Sequence, residues 1–163
     1  MFDHEVRDAA EHVLHVCRQR GLKVVTAESC TGGLVAAAMT AIAGSSDVVE
    51  RGFVTYSNEA KHELLGVGLD TLEGHGAVSE PVARAMARGA LSHSLADISV
   101  SVTGVAGPGG GSAEKPVGLV HFAAARGGFD LIAERHVFPG DRDGIRRQAV
   151  LTALAMLTSL AER

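Results

Sequence analysis

The most informative part of the chain reads LKVVTAESCTGG over residues 22–33. Its first half is apolar and β-branched, which predicts a buried strand, and a helix-favouring segment follows the two glycines. In α/β proteins a strand that ends in a small-residue turn before a helix is a common ligand site, because the first helical N–H groups have no intrahelical partner. Ser29 or Thr31 in this turn is placed to attack an electrophile, and the nearby N–H groups would stabilise the negative charge that develops.

Strands and helices alternate along the rest of the chain until two strands follow each other near its end. Helical patterns cover residues 3–20, 33–43, 58–65, 79–92 and 142–160, and strand patterns cover 22–27, 48–55, 97–103, 117–125 and 131–137. Asn58 and Asp141 are predicted N-caps, residues 66–76 a glycine-rich turn, and residues 126–128 a hairpin turn. This order predicts one α/β domain over residues 1–163, a three-layer α/β/α sandwich with a mostly parallel, mixed sheet.

The composition is apolar but poor in aromatic side chains, since 46% of the residues are hydrophobic, 4% are aromatic and none is tryptophan. Small aliphatic side chains must therefore build the core, which favours close packing of helices on the sheet.

The formal net charge of −4 argues against a nucleic-acid partner. No run reaches the ~20 apolar residues of a membrane span, and the first residues lack a secretory pattern. Cys17 and Cys30 form no disulfide framework, so a cytoplasmic protein is expected.

Three of the predicted strand ends carry polar residues. The first is followed by residues 28–31, Glu-Ser-Cys-Thr, and the second by residues 56–58, Tyr-Ser-Asn, with Lys61 one turn into the next helix. The third ends at Thr103. The carboxyl ends of parallel strands open on one edge of a sheet, which predicts that these groups converge into a single site.

A nucleophilic serine needs a base, and the sequence offers few. No Gly-x-Ser-x-Gly turn frames a serine, and neither His-Glu-x-x-His nor Cys-x-x-Cys occurs, so no metal site is expected. Lys61 is the remaining candidate, because partial burial would lower its pKa towards the neutral amine that a base requires. The alternative is that Lys61 is an ordinary solvated lysine.

Two further segments have a possible binding role. The loop over residues 104–111 brings backbone N–H groups close to a ligand, such as a phosphate or a flat ring, or is simply a surface turn between strands. Arg142 and Arg146 are four residues apart on one face of the last helix. They form either a phosphate or carboxylate receptor or a solvated face paired with Asp141 and Asp143.

Taken together, these motifs resemble those of the CinA C-terminal domain family. The resemblance spans nearly the whole chain in order. It rests on AESCTGG (27–33), GSS (44–46), GFVTYSN (52–58), AK (60–61), GAVS (76–79), TGVAGPGG (103–110), KPVG (115–118), GDR (140–142) and IR (145–146). Stand-alone members of this family are nicotinamide-nucleotide amidases. The resemblance therefore implies hydrolysis of the carboxamide of nicotinamide mononucleotide to nicotinic acid mononucleotide and ammonia, with no metal and no cofactor.

The resemblance also implies roles for individual residues. Ser29 would be the nucleophile and Lys61 its base, with N–H groups around Thr31, Gly32 and Gly33 holding the oxyanion. Tyr56, as a third catalytic residue, and Ser46 and Thr103 would hydrogen-bond the carboxamide or tune Lys61. Glu28 would belong to the substrate-binding residues. The glycine loop with Gly104 and Gly107, together with Arg142 or Arg146, would bind the ribose phosphate.

Several alternatives remain open at the level of sequence. Thr31 is a second hydroxyl in the same turn, and Glu28 either orients Lys61 or pairs with a helix dipole. A non-catalytic nucleotide-binding or assembly module is the alternative function. The amphipathic first helix and the late hairpin leave room for a homodimer or a higher homo-oligomer.

Overall fold

A mixed sheet forms the centre of the fold. The computed structural model of the chain describes residues 1–129 and 131–163. Within them the strands are β1 (Val24–Glu28), β2 (Val49–Val54), β3 (Ile98–Gly104), β4 (Leu119–Arg126) and β5 (Ile132–Val137). Their order is β2-β1-β3-β4-β5. β1 pairs parallel with β2 and β3, whereas β4 runs antiparallel to β3 and β5. Four of these five strands thus point the same way, which confirms the predicted mixed α/β sheet.

Helices cover both faces of the sheet. They are α1 (His4–Arg20), α2 (Leu34–Thr40), α3 (Asn58–Leu65), α4 (Leu69–His75), α5 (Glu80–Ser92) and α6 (Arg142–Ala161). α1, α2 and α6 pack on one face, and α3, α4 and α5 lie on the other. Side chains alternate between the two cores along a strand, so Val24 joins the first core while Val25 and Ala27 join the second. This is the predicted three-layer α/β/α sandwich.

Small residues allow the close packing that the composition predicts. A Cβ added at Gly89 of α5 would lie 1.9 Å from the Leu65 carbonyl oxygen at the end of α3. Only a glycine lets the two helices approach this closely. The contact fixes the position of α3, which is the helix that carries Lys61.

Most element boundaries agree with the sequence patterns, and two details differ. The segment 66–76, predicted to be a turn, contains helix α4 (Leu69–His75), which buries Leu72 between the two glycines that bound the segment. The N-cap of α3 is Ser57 rather than Asn58, because the Ser57 hydroxyl accepts a hydrogen bond from the Ala60 N–H. The second difference arises because Ser57 and Asn58 are adjacent and both are favourable N-cap residues.

The start of α6 agrees with the sequence. The Asp141 side chain accepts a hydrogen bond from the Gly144 N–H at 2.8 Å and so caps the helix. This places Arg142 and Arg146 in the first two turns, near the carboxyl ends of the parallel strands. In the described part of the chain, every helix is too short or too polar to cross a membrane.

Candidate active site

The polar strand ends converge as predicted. The Ser29 N–H donates to the Val102 carbonyl at the end of β3, at 2.9 Å, and the Thr55 N–H donates to the Glu28 carbonyl, at 2.8 Å. These bonds extend the parallel pairing beyond the last strand residues. They place the turn after β1 between the ends of β2 and β3, so the segments that follow all three strands meet at one edge of the sheet, a region that we call the cleft.

Ser29 and Lys61 are in direct contact inside this cleft. The Lys61 Nζ lies 2.9 Å from the Ser29 Oγ, 2.8 Å from the Thr55 carbonyl oxygen and 3.3 Å from the Tyr56 carbonyl oxygen. The Lys61 residue is only 1% exposed, and Ser29 is 8% exposed. The contact is thus a buried one between a hydroxyl and an amine.

Burial changes the protonation of this lysine. It lowers the pKa of Lys61 from 10.5 to about 8, because the charged ammonium loses its hydration. A neutral amine has two hydrogens and one lone pair. The Thr55 and Tyr56 carbonyls accept hydrogens only, so they leave the lone pair to accept the Ser29 hydroxyl proton. The structure thus excludes the solvated-lysine interpretation.

The carboxylate of Glu28 serves the helix that follows it. It is fully buried, and its oxygens accept hydrogen bonds from the N–H groups of Gly33, Val35 and Ala36. A carboxylate at this position satisfies the first N–H groups of α2 and complements its dipole. Of the two roles left open by the sequence, the helix-dipole role is the one that the geometry supports.

This arrangement corrects the predicted oxyanion donors. The N–H of Gly33 is engaged by Glu28, and the N–H of Gly32 donates to the Ser29 carbonyl at 3.0 Å. Neither is free to bind a ligand. Among the described residues, the backbone N–H groups of Cys30 and Thr31 have no acceptor oxygen. The two N–H groups directly after Ser29 are therefore the ones left for an oxyanion.

The other nucleophile candidates of the turn are less suited than Ser29. The Thr31 hydroxyl is fully buried and finds no hydrogen-bond partner within the described chain, and the lysine contacts Ser29 instead. Burial raises the pKa of the Cys30 thiol to about 11, which keeps it protonated and unreactive near neutral pH.

Arg142, Tyr56 and Gly107 form the outer wall of the cleft. The Arg142 guanidinium donates to the Gly107 carbonyl at 2.7 Å and to the Tyr56 hydroxyl at 3.3 Å. Arg142 and Tyr56 are both exposed. Beside Arg142 a surface cavity of about 440 Å³ extends between Ala106 and Asp143. A cation and a hydroxyl thus face solvent at the mouth of the site.

Thr103 and Gly104 shape the floor at the end of β3. The buried Thr103 hydroxyl donates to the Ala77 carbonyl at 2.8 Å, which ties the segment before α5 to the sheet. Gly104 packs so tightly that a Cβ there would lie 2.8 Å from the Leu119 carbonyl oxygen. Both residues support the cleft through backbone contacts.

Arg146 and Ser46 occupy places that the sequence did not predict. Arg146 donates to the carbonyls of Cys30 and Thr31 rather than facing the mouth of the cleft beside Arg142. Ser46 is exposed and precedes β2, whereas the site lies at the carboxyl end of that strand. Within one copy of the chain Ser46 therefore lies at the opposite edge of the sheet from Ser29, and its substrate contact stays a prediction.

Sequence reasoning missed the backbone groups that shape this site. The carbonyls of Thr55, Tyr56 and Ala77 bind the lysine or the floor threonine, and a backbone atom leaves no residue-type signal. Within residues 1–129 and 131–163, no cluster of three or more His, Cys, Asp or Glu side chains is arranged to hold a metal ion.

Comparison with known proteins shows similarity over nearly the whole chain. The model of the CinA C-terminal domain family matches residues 6–161. The chain is 55% identical to the nicotinamide-nucleotide amidohydrolase PncC of Escherichia coli over 157 residues, 96% of this chain and 95% of that protein. A CinA-like protein of Syntrophobacter fumaroxidans is 51% identical over 86% of this chain and 33% of its own length. The competence/damage inducible protein CihA of Agrobacterium tumefaciens superposes with a TM-score of 0.96, at 51% identity, over 98% of both chains.

Proposed function

The chain belongs to the CinA C-terminal domain family, and from this premise we propose that it is a metal-independent serine amidase that acts on nicotinamide mononucleotide. Membership confirms the resemblance seen in the sequence. The chain is a hydrolase of the nicotinamide-nucleotide amidohydrolase type, as its close relatives are. The reaction would convert the pyridine carboxamide into a carboxylate and release ammonia.

The first step uses the contact between Ser29 and Lys61. The neutral Lys61 amine accepts the hydroxyl proton while the Ser29 oxygen attacks the carboxamide carbon, and a tetrahedral intermediate forms. The proton then passes from Lys61 to the amide nitrogen. The C–N bond breaks, ammonia leaves, and the acyl group remains as an ester on Ser29.

Hydrolysis of the ester repeats the same chemistry with water. Lys61 accepts a proton from the attacking water molecule, the second tetrahedral intermediate collapses, and Ser29 leaves with the proton restored. The N–H groups of Cys30 and Thr31 would hold the oxyanion in both intermediates, since they directly follow the nucleophile.

The outer wall would bind the polar end of the substrate. Arg142 is exposed at the mouth of the cleft and carries a fixed positive charge, which suits the phosphate. Tyr56 and the loop at Gly107 lie beside it, where they would contact the ribose.

A cytoplasmic location, a single domain and a homo-oligomeric state stay predictions.

One observation carries the proposal: the buried 2.9 Å contact between the Ser29 Oγ and the Lys61 Nζ. Burial of an uncompensated amine destabilises a protein, so a lysine held against a serine and two carbonyls is more readily explained by catalysis than by folding.

The test is ammonia release from nicotinamide mononucleotide in the presence of EDTA. We expect turnover by the unmodified chain and a loss of about 10³-fold or more in Ser29→Ala and in Lys61→Ala. Ser159→Ala and Lys23→Ala change exposed residues of the same types and serve as controls. Thermal stabilisation by the nucleotide without ammonia release would indicate the alternative, a non-catalytic nucleotide-binding module.

A further inference from the structure

Two adjacent arginines of α6 are used in different ways. Arg147 forms ion pairs with the carboxylates of Asp3 and Glu5. Within the described chain, Arg146 has no carboxylate at salt-bridge distance. Its Nε instead donates to the Cys30 carbonyl at 3.1 Å, and its Nη2 lies 3.3 Å from the Thr31 carbonyl. One guanidinium thus holds two successive carbonyls of the nucleophile turn.

Arg146 reaches this turn from the side opposite to Lys61. It comes from α6, in the layer that includes α1 and α2, and it borders a cavity of about 260 Å³ lined by Phe2, Leu34 and Val150. Lys61 comes from α3, in the layer on the other face of the sheet. Arg146 and Lys61 therefore contact the nucleophile turn from the helical layers on opposite faces of the sheet.

The geometry of the peptide bond connects these two sides. A trans peptide is planar, and its C=O and N–H point in opposite directions. The C=O of Cys30 and the N–H of Thr31 belong to the same peptide unit. When the Cys30 carbonyl is fixed on Arg146, the Thr31 N–H must point away from the Arg146 guanidinium, to the opposite side of the turn.

We infer that Arg146 is a positioning residue for the oxyanion site: by binding the Cys30 and Thr31 carbonyls, it aims the Thr31 N–H at the charge that develops on the substrate. The inference rests on the proposed amidase function and deepens it. The positive charge of Arg146 also polarises that peptide and strengthens its N–H as a donor. Phosphate binding then falls to Arg142 alone.

A positioning role predicts a particular kinetic signature. An oxyanion donor acts in the transition state, and removing one costs about 10²- to 10³-fold in kcat. We therefore expect Arg146→Gln to lower kcat by about 10- to 100-fold, with KM for nicotinamide mononucleotide changed by less than about threefold. Arg146→Lys keeps the charge but cannot bridge both carbonyls, so its kcat should lie between that of the unmodified chain and that of Arg146→Gln.

The matched control is Arg147→Gln. It removes the neighbouring guanidinium, which borders the same cavity but binds only carboxylates. It should lower the melting temperature while kcat stays unchanged. The inference is overturned if Arg147→Gln lowers kcat as much as Arg146→Gln, or if Arg146→Gln raises KM and leaves kcat intact, which would indicate phosphate binding.

A second measurement separates this inference from the proposed function. A fluorophosphonate transfers its phosphonyl group to an activated serine and releases fluoride, and the oxygen on phosphorus uses the same N–H donors. We expect mass spectrometry to show Ser29 labelled at least tenfold more slowly in Arg146→Gln than in the unmodified chain. If the chain releases no ammonia, only the substrate assignment fails, and these labelling rates still decide the role of Arg146. Equal rates would overturn it.

Discussion

Lys61 and Arg142 are two basic side chains at one cleft, and Tyr56 contacts both. The Tyr56 carbonyl accepts from the Lys61 Nζ, and its hydroxyl accepts from the Arg142 guanidinium. Lys61 is 1% exposed, whereas Arg142 is exposed to solvent. Burial lowers the pKa of Lys61 to about 8 and makes a base of it. A guanidinium keeps its charge in either environment. Burial and residue type together thus determine that Lys61 is suited to act as a base and Arg142 to bind an anion.

The strongest test of this difference places a permanent charge at the buried position. Lys61→Arg cannot give up a proton near neutral pH, so we expect kcat to fall by about 10³-fold or more at every pH between 6 and 10. Arg142→Lys, the reverse change at the exposed position, should keep kcat within a few fold. Steady-state ammonia release measures both.

A folding control is needed because arginine is larger than lysine. Lys61→Met is smaller and apolar, and it removes the base without adding a charge. It should lose kcat to the same extent as Lys61→Arg while retaining a cooperative thermal transition. Retention of kcat within tenfold in Lys61→Met would contradict the assignment of Lys61 as the base.

The pH dependence of kcat/KM should follow the titration of the buried Lys61 amine. The base is active when neutral, and the pKa of Lys61 is lowered to about 8. We therefore expect kcat/KM to rise about tenfold per pH unit below that value and to level off above it. Arg142→Lys should leave this limb in place. A limb that appears only near pH 10 would mean that the lysine is solvated during catalysis.

The sequence predicts the parts of this site that depend on residue type and topology. Strand patterns and the convergence of carboxyl ends are sufficient to predict the meeting of Ser29 and Lys61, whereas the Thr103 hydroxyl binds the Ala77 carbonyl. The pattern did not reveal which way a side chain turns. Arg142 and Arg146 share a helix and a spacing of four, yet they bind different segments. That difference depends on the tertiary packing of α6 against the turn after β1.

Ser46 illustrates a second limit. Its motif belongs to the family pattern, but the strand predicted over residues 48–55 already places Ser46 before that strand, away from the carboxyl end where the other candidates lie. Ser46 precedes β2 and lies at the opposite edge of the sheet from Ser29. Within one copy of the chain the topology thus separates Ser46 from Ser29, and the role of Ser46 in the site stays a prediction.

Arg142 should affect binding more than chemistry. A hydrogen bond to a charged group contributes about 1.5–3 kcal/mol, and 1.4 kcal/mol corresponds to a factor of ten. We therefore expect Arg142→Ala to raise KM for nicotinamide mononucleotide by about 10- to 100-fold with little change in kcat. For nicotinamide riboside, which lacks the phosphate, KM should be the same with Arg142→Ala as with the unmodified chain. An equal loss for both substrates would show that Arg142 does not bind the phosphate.

The smallest expected effect concerns stability. The pKa of Lys61 is lowered from 10.5 to about 8, so charging this lysine in the folded chain costs about 3 kcal/mol at 1.4 kcal/mol per pH unit. The unfolded chain therefore binds more protons between these pH values, and the folded chain gains stability as the pH rises through them. Lys61→Met avoids the cost but leaves the Thr55 and Tyr56 carbonyls without this donor. We expect it to stabilise the chain by about 1–3 kcal/mol at pH 7.

Urea unfolding at pH 7 and at pH 10 measures this difference. The advantage of Lys61→Met over the unmodified chain should be largest at and below pH 8 and should shrink towards pH 10.5, because the unfolded lysine then loses its proton as well. Arg142→Met changes an exposed cation and should show no such pH dependence. An advantage of Lys61→Met that stays constant with pH would mean that it arises from apolar packing alone, and that the buried amine does not carry the energetic cost that distinguishes it from Arg142.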